Sequence, residues 1–262
     1  MVERKRLEGV RTGNCTQGSN PCLSAISIKS NMQPKTILFD FDDTLIDTHP
    51  VFTEATSEVK KTLSDFLNIP YEEISKVFEE SLVKAYHEVS INPVKEWPTT
   101  IQNMRDHFDI PNDLAVKIID RMYKVYTTPP KLLEGSIEVL EHFKKDGYKL
   151  GLVTHAVEDW THLKLSTHNL RQYFDHIEIA DMNRHKSKED WLKAIKALDT
   201  HPEKVAIVGD NVSGDIKAGY EVGVRKLIWL QKTKGWSVYT SGDLPEGTIT
   251  VRNIKEVIEV LK

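Results

Sequence analysis

The stretch Ile37-Leu38-Phe39-Asp40-Phe41-Asp42-Asp43-Thr44-Leu45 constrains this chain more than any other. An apolar run stops in three acids and a threonine. The run predicts a strand buried on both faces, as in a parallel sheet. The aspartates, poor strand formers, predict where it ends. Asp40 and Asp42 stand two apart, the spacing that puts both side chains on one side of an extended segment. Two carboxylates crowded at the mouth of an apolar sheet repel each other unless a cation lies between them. The strand end is therefore a place for chemistry.

The pattern on either side of this stretch divides the chain. Residues 1–33 carry Gly, Ser, Asn, Pro and a basic patch (Arg4, Lys5, Arg6, Arg11) without periodicity. They predict a disordered N-terminal tail with no apolar core for a secretory signal. Residues 49–130 are helical in pattern. Phe52, Ala55, Val59, Leu63, Phe66 and Leu67 form one stripe, and Ile74, Val77, Phe78, Leu82, Ala85 and Tyr86 a second that closes at Asn92-Pro93. A shorter helix is expected through Ile101, Met104 and Phe108, and a fourth from Asn112 or Asp113 to the stop at Pro129-Pro130. Residues 34–48 and 131–262 alternate strand and helix, with Ser136 capping the first of these helices. That alternation means parallel strands with crossover helices. The fold class is thus α/β, a doubly wound, mostly parallel sheet with an all-helical insertion.

At 262 residues, 39% hydrophobic and 28% charged, the chain suits a globular protein, and its net charge of −4 argues against general nucleic-acid or anionic-membrane binding. A phosphate-bearing substrate would then need local help from a metal or a lysine. No apolar run approaches a membrane span. Cys15 and Cys22, the only cysteines, lie in the tail, so neither a disulfide core nor a cysteine zinc site belongs to the folded part. A cytoplasmic setting is expected.

Ligands of such sheets bind beyond the carboxyl ends of the strands. Those ends offer Asp40, Asp42 and Asp43; Thr154 and His155; Lys186 or Lys188; and Gly209, Asp210, Asn211 and then Asp215. Carboxylates at one rim are a site for a hard cation, and Mg2+ suits one or two carboxylates plus phosphate oxygens. A carboxylate can attack phosphorus, a hydroxyl and an ammonium can hold the spare oxygens, and a second carboxylate can move protons.

These residues resemble the four ordered motifs of the haloacid dehalogenase superfamily. Asp40-Phe41-Asp42-Asp43-Thr44-Leu45 is similar to the first, Leu152-Val153-Thr154 to the second and Lys186-Ser187-Lys188-Glu189 to the third. Gly209-Asp210 through Asp215 is similar to the fourth. The resemblance runs from about 36 to 262. It implies a Rossmann-like catalytic core and an α-helical cap over residues 49–130. It also implies Asp40 as nucleophile, Asp42 as general acid and base, and Thr154 and Lys186 on the phosphoryl group. The implied Mg2+ site is Asp40, Asp42 through its backbone carbonyl, Asp210 and Asp215, the last orienting metal-bound water or Lys186. The implied substrate is a small phosphorylated metabolite.

His155 departs from the Asn or Gly common in the second motif and stands either at the substrate or idle on the rim. In the helical block, Trp97 and Arg105 are candidate substrate readers, against a plain reading as a packing tryptophan and a surface arginine. His162 and His168, six apart, are expected at surface helix positions. Trp160, Trp191, Trp229 and Trp236 are expected to pack. The motifs leave open a sugar phosphomutase of the same fold. A non-catalytic phosphate-binding or signalling module fits them less well, because its motif order differs. A dehalogenase needs neither the second acid at Asp42 nor a metal.

Overall fold

A computed structural model describes residues 34–232, 235 and 242–262. The expected tail and Trp236 lie outside the described residues.

Six parallel strands form the sheet: β1 (Thr36–Phe39), β4 (Lys149–Thr154), β5 (His176–Ile179), β6 (Val205–Gly209), β7 (Lys226–Leu230) and β8 (Ile249–Val251), in the order β5-β4-β1-β6-β7-β8. Side-chain alternation sends Ile37, Phe39, Leu152 and Val208 into one apolar layer and Leu38, Val153 and Ile207 into the other. The first layer is covered by α5 (Ser136–Lys145) and α9 (Glu256–Val260). The second is covered by α7 (Lys188–Ala197) and α8 (Ala218–Val222). Burial on both faces is why the strands read as unbroken apolar runs.

The chain winds from β1 outward through β4 to β5, then returns to β6 on the other side. The order reverses between β1 and β6, where such sheets open a crevice. Phe39 pairs with both Leu152 and Val208, so Asp40, Thr154 and Asp210 leave their strands at nearly one level.

Four helices fill the insertion: α1 (His49–Leu67), α2 (Tyr71–Val89), α3 (Pro93–Met104) and α4 (Asn112–Tyr123). Their stripes bury Ala55, Leu63, Ile74, Phe78, Ile101 and Ile118 in a cluster of their own. Asn92 and Pro93 do not close α2. They open α3, with the Asn92 side chain accepting from the Val94 amide at 3.1 Å and Pro93 in the first turn. Phe108 falls beyond the end of α3 but is still buried.

Two short strands were not legible: β2 (Ile46–Asp47) and β3 (Lys131–Leu132) pair antiparallel where the chain enters and leaves the insertion. Ser136 is not the cap expected of it. Gly135, at φ 91°, is the N-cap of α5, and the Ser136 hydroxyl donates to the Leu45 carbonyl at 2.8 Å. One further helix, α6 (Glu158–Thr167), follows β4. Among the described residues no helix is long and apolar enough to cross a membrane.

Candidate active site

Asp40 continues β1 by one step, its amide donating to the Val208 carbonyl at 2.9 Å. Asp43 then takes a left-handed conformation at φ 59° and its amide donates to the Ile46 carbonyl at 2.7 Å, so it is a turn residue. The turn sends Asp40 and Asp42 to the same end of the sheet with different partners.

Lys186, 8% exposed, reaches the rim from the loop before α7. Its Nζ lies 2.5 Å from Asp40 Oδ1, 2.5 Å from Asp215 Oδ1 and 3.3 Å from the Val153 carbonyl. Lys188 is exposed at the first position of α7, a helix-start charge. The loop between them is pinned: Arg184 grips the buried Asp190 at 2.5 and 2.7 Å, and Asp190 accepts from the Ser187 amide at 3.0 Å.

Asp210 is held through its backbone, whose carbonyl accepts from the Trp229 indole at 2.7 Å. Asp215 sits in a π-turn over Val212–Lys217, fully buried. The Asn211 amide donates to its Oδ2 at 3.0 Å. Trp191 donates to the Gly214 carbonyl of the same turn at 2.7 Å. Trp191 and Trp229 therefore pack, as expected, and also fix the loop carrying the acids.

Carboxylate oxygens of Asp40, Asp210 and Asp215 all lie within 4.8 Å of one another. Burial, with the neighbouring charges of Asp215 and Asp42, pushes Asp40 up to about 7, while Lys186 pulls against that rise. Burial, then Asp40 and Asp215, pushes Asp210 well above the usual carboxylate range. Burial disfavours the Lys186 ammonium, but the carboxylates of Asp215 and Asp40 outweigh it and raise that group. An oxygen-only set of mutually repelling, buried acids fits a hard divalent cation. The Asp215 oxygens are already engaged by Lys186 and Asn211, which suits it to orienting Lys186.

Asp42 stands outside that cluster. Its carboxylate receives the Lys164 ammonium at 2.6 and 2.8 Å, the Thr48 hydroxyl at 2.6 Å and the Thr154 hydroxyl at 3.4 Å. Lys164 was missed in the sequence because the helix that carries it, α6, was not delineated there. The nearest signal is a lysine four residues after Trp160. Its Nζ lies 4.0 Å from the Trp160 ring centroid and 5.0 Å from that of Phe41. Trp160 is thus more than packing.

His155 lines a cavity beside Asp42, with Nε2 3.5 Å from the Ser90 hydroxyl. Burial, followed by the charge of Lys186, lowers its pKa to about 4, so it is a neutral ring at the rim. Trp97 lines the same cavity. Arg105 does not: its guanidinium bonds the Ile110 carbonyl at 3.1 Å and the Asn112 side chain at 2.7 Å, which holds the turn after α3. His162 is exposed, whereas His168 lies 2.6 Å from the Pro130 carbonyl and ties the end of α6 to the exit from the helical block.

A family model for haloacid dehalogenase-like hydrolases matches residues 37–228. The pyrophosphatase PpaX of Bacillus mycoides is 27% identical over 209 residues, covering 78% of this chain and 87% of the relative. Among solved structures, a HAD phosphatase from Thermococcus onnurineus superposes with a TM-score of 0.58 at 22% identity, covering 87% of this chain and 97% of that one. YfnB of Bacillus subtilis, assigned to the HAD hydrolases and solved bound to magnesium, superposes at 0.64 with 18% identity, covering 87% and 99%. The chain belongs to the haloacid dehalogenase-like hydrolases and is an enzyme of that hydrolase class.

Proposed function

We propose that this chain is a Mg2+-dependent phosphatase that hydrolyses a small, soluble phosphate monoester through an aspartyl-phosphate on Asp40. The observation that carries this reading is Lys186 set between Asp40 and Asp215 at 2.5 Å each, with Asp42 held apart on its own partners. One carboxylate thereby stands beside a fixed ammonium, and a second, oriented by partners of its own, is left for proton transfer.

An oxygen of Asp40 attacks phosphorus, and the P–O bond to the alcohol breaks. Asp42 is the group that passes a proton to the departing alkoxide. Asp42 then takes a proton from water, the resulting hydroxide attacks phosphorus, and phosphate leaves as Asp40 is regenerated. Lys186 and the Thr154 hydroxyl hold the spare phosphoryl oxygens. Asp40, Asp210 and the Asp42 backbone carbonyl would hold Mg2+, which would neutralise phosphoryl charge. Asp42 also favours this reading over dehalogenation, which has no use for a second acid.

Helices α1–α4 act here as a cap, excluding water during attack on phosphorus and admitting it afterwards. A small phosphorylated metabolite in the cytoplasm is the expected substrate. A phosphomutase would return the phosphoryl group to an organic acceptor, and the named pyrophosphatase relative makes pyrophosphate a substrate to include.

The test is inorganic phosphate release from a panel of phosphate monoesters and pyrophosphate, with MgCl2 or EDTA and without an added acceptor. Asp40→Asn is expected to retain its circular dichroism and lose activity by on the order of 10³-fold or more. Full activity in that variant removes Asp40 as nucleophile. Activity untouched by EDTA removes the metal role.

A further inference from the structure

A cavity of about 430 Å3 opens beside Asp42, between the catalytic rim and the helices of the insertion. That volume is at the small end for ligand pockets, which run from roughly 300 to 1,000 Å3. One wall is aromatic. The Phe52 ring lies 5.8 Å from Trp160, 5.9 Å from Tyr126 and 6.2 Å from Trp97, centroid to centroid.

Among the described residues, the acids and lysines around it are paired with one exception. Lys60 meets Glu79 at 2.8 Å, Asp42 meets Lys164 at 2.6 Å, and Asp43 meets Lys232 at 3.5 Å. Glu96 lines the cavity at 7% exposure, and its carboxyl has no ion pair or hydrogen bond among the described residues. Glu96 stands in the first turn of α3, where an acid favours the helix dipole. An exposed glutamate would serve the dipole without the cost of burying a carboxyl, so the dipole does not explain the burial.

We propose that this cavity takes the organic half of a phosphate ester bearing a basic nitrogen, the nitrogen cation against Glu96 and the carbon body against the Phe52–Trp97–Tyr126–Trp160 wall. The substrate class rests on the phosphatase reading above. An ammonium seated against Glu96 displaces the acid's proton to water and leaves a charge-assisted hydrogen bond, and aromatic faces attract the same cation. An anionic organic half would meet an unbalanced carboxyl.

Three matched esters with MgCl2 test this: 4-(aminomethyl)benzyl, 4-(hydroxymethyl)benzyl and 4-carboxybenzyl phosphate. The native chain is expected to favour the amine by about tenfold or more in kcat/KM, chiefly through KM. Glu96→Gln is expected to erase that preference. A preference for the hydroxymethyl or carboxy ester, or an amine preference that survives Glu96→Gln, overturns the proposal. If no ester is hydrolysed, the phosphatase reading fails and calorimetry with the matching phosphonates, which have no ester bond to cleave, still decides. Tighter binding of 4-(aminomethyl)benzylphosphonate than of its 4-carboxy counterpart supports the cavity assignment, and equal or reversed affinities overturn it.

Discussion

Lys164, wholly buried, places its ammonium 2.6 and 2.8 Å from the two carboxylate oxygens of Asp42, whose side chain is 23% exposed. Burial lowers the lysine's pKa, and Asp42 works against that. Removing one partner of a fully buried pair costs about 3–5 kcal/mol. Here Asp42 keeps the Thr48 hydroxyl and some water, so Lys164→Met is expected to cost less, about 1–3 kcal/mol in urea unfolding. Its kcat is expected to fall by roughly ten- to a hundredfold, because the proton carrier loses its anchor. Lys164→Met combined with Asp42→Asn should recover stability but not turnover. Recovery of both would make the pair structural only.

The buried acids Asp40, Asp210 and Asp215 predict a metal-linked stability. A ligand bound only by the folded state at about 100 times its Kd stabilises by about 2.7 kcal/mol. Thermal unfolding of the native chain should therefore rise on adding MgCl2 to the EDTA-treated protein. Asp210→Asn removes one of the repelling carboxylates. In EDTA it should unfold at a higher temperature than the native chain, and it should gain little from MgCl2. An equal MgCl2 shift in both proteins would exclude the Asp210 carboxylate as a ligand.

Glu96 gives a pH dependence with a definite sign. Burial raises its pKa from 4.5 to about 8. Between those values the unfolded chain has lost the proton and the folded chain keeps it, so the folded state binds more protons and stability falls as pH rises. The contribution is fully present below pH 4.5 and is lost by about pH 8. Tyr86 and Tyr126 feel the same charge, and both are held above their usual range mainly by burial. Glu96→Gln does not titrate. Its unfolding free energy in urea, relative to that of the native chain, should rise by up to roughly 1.4 kcal/mol per pH unit across that window. A pH-independent difference would mean that Glu96 is ionised and paired throughout.

The rim was legible because its signals are local: an apolar strand ends and an acid, hydroxyl or lysine comes next. Asp40, Thr154 and Asp210 could be placed on that logic, and buried Lys186 was separable from Lys188 by its motif register. Lys164 was not, because its role depends on α6 bringing it to Asp42, and a lysine four residues after a tryptophan carries no such information. Glu96 was hidden for a related reason. On a helix wheel it is an ordinary first-turn acid, and only the packing of α1 to α3 buries it. The short β2–β3 pair escaped because two-residue strands have no period to read.

Gly209 supplies the last prediction. A Cβ at this position would lie 2.2 Å from Asp215 Oδ2 and 2.5 Å from its Cγ. No carbon sits that close without movement. Asp215 cannot yield freely, being fully buried and held by the Asn211 amide at 3.0 Å and Lys186 at 2.5 Å. Gly209→Ala must therefore push Asp215 off Lys186 or displace the end of β6 that carries Asp210. Overpacking of this kind costs about 1–3 kcal/mol. The larger effect is expected in function, since Lys186 loses the partner opposite Asp40. The variant should remain folded by circular dichroism, bind MgCl2 more weakly and release phosphate at least about tenfold more slowly. A fully active Gly209→Ala with native MgCl2 affinity would mean that the Asp215–Lys186 contact does not position the lysine.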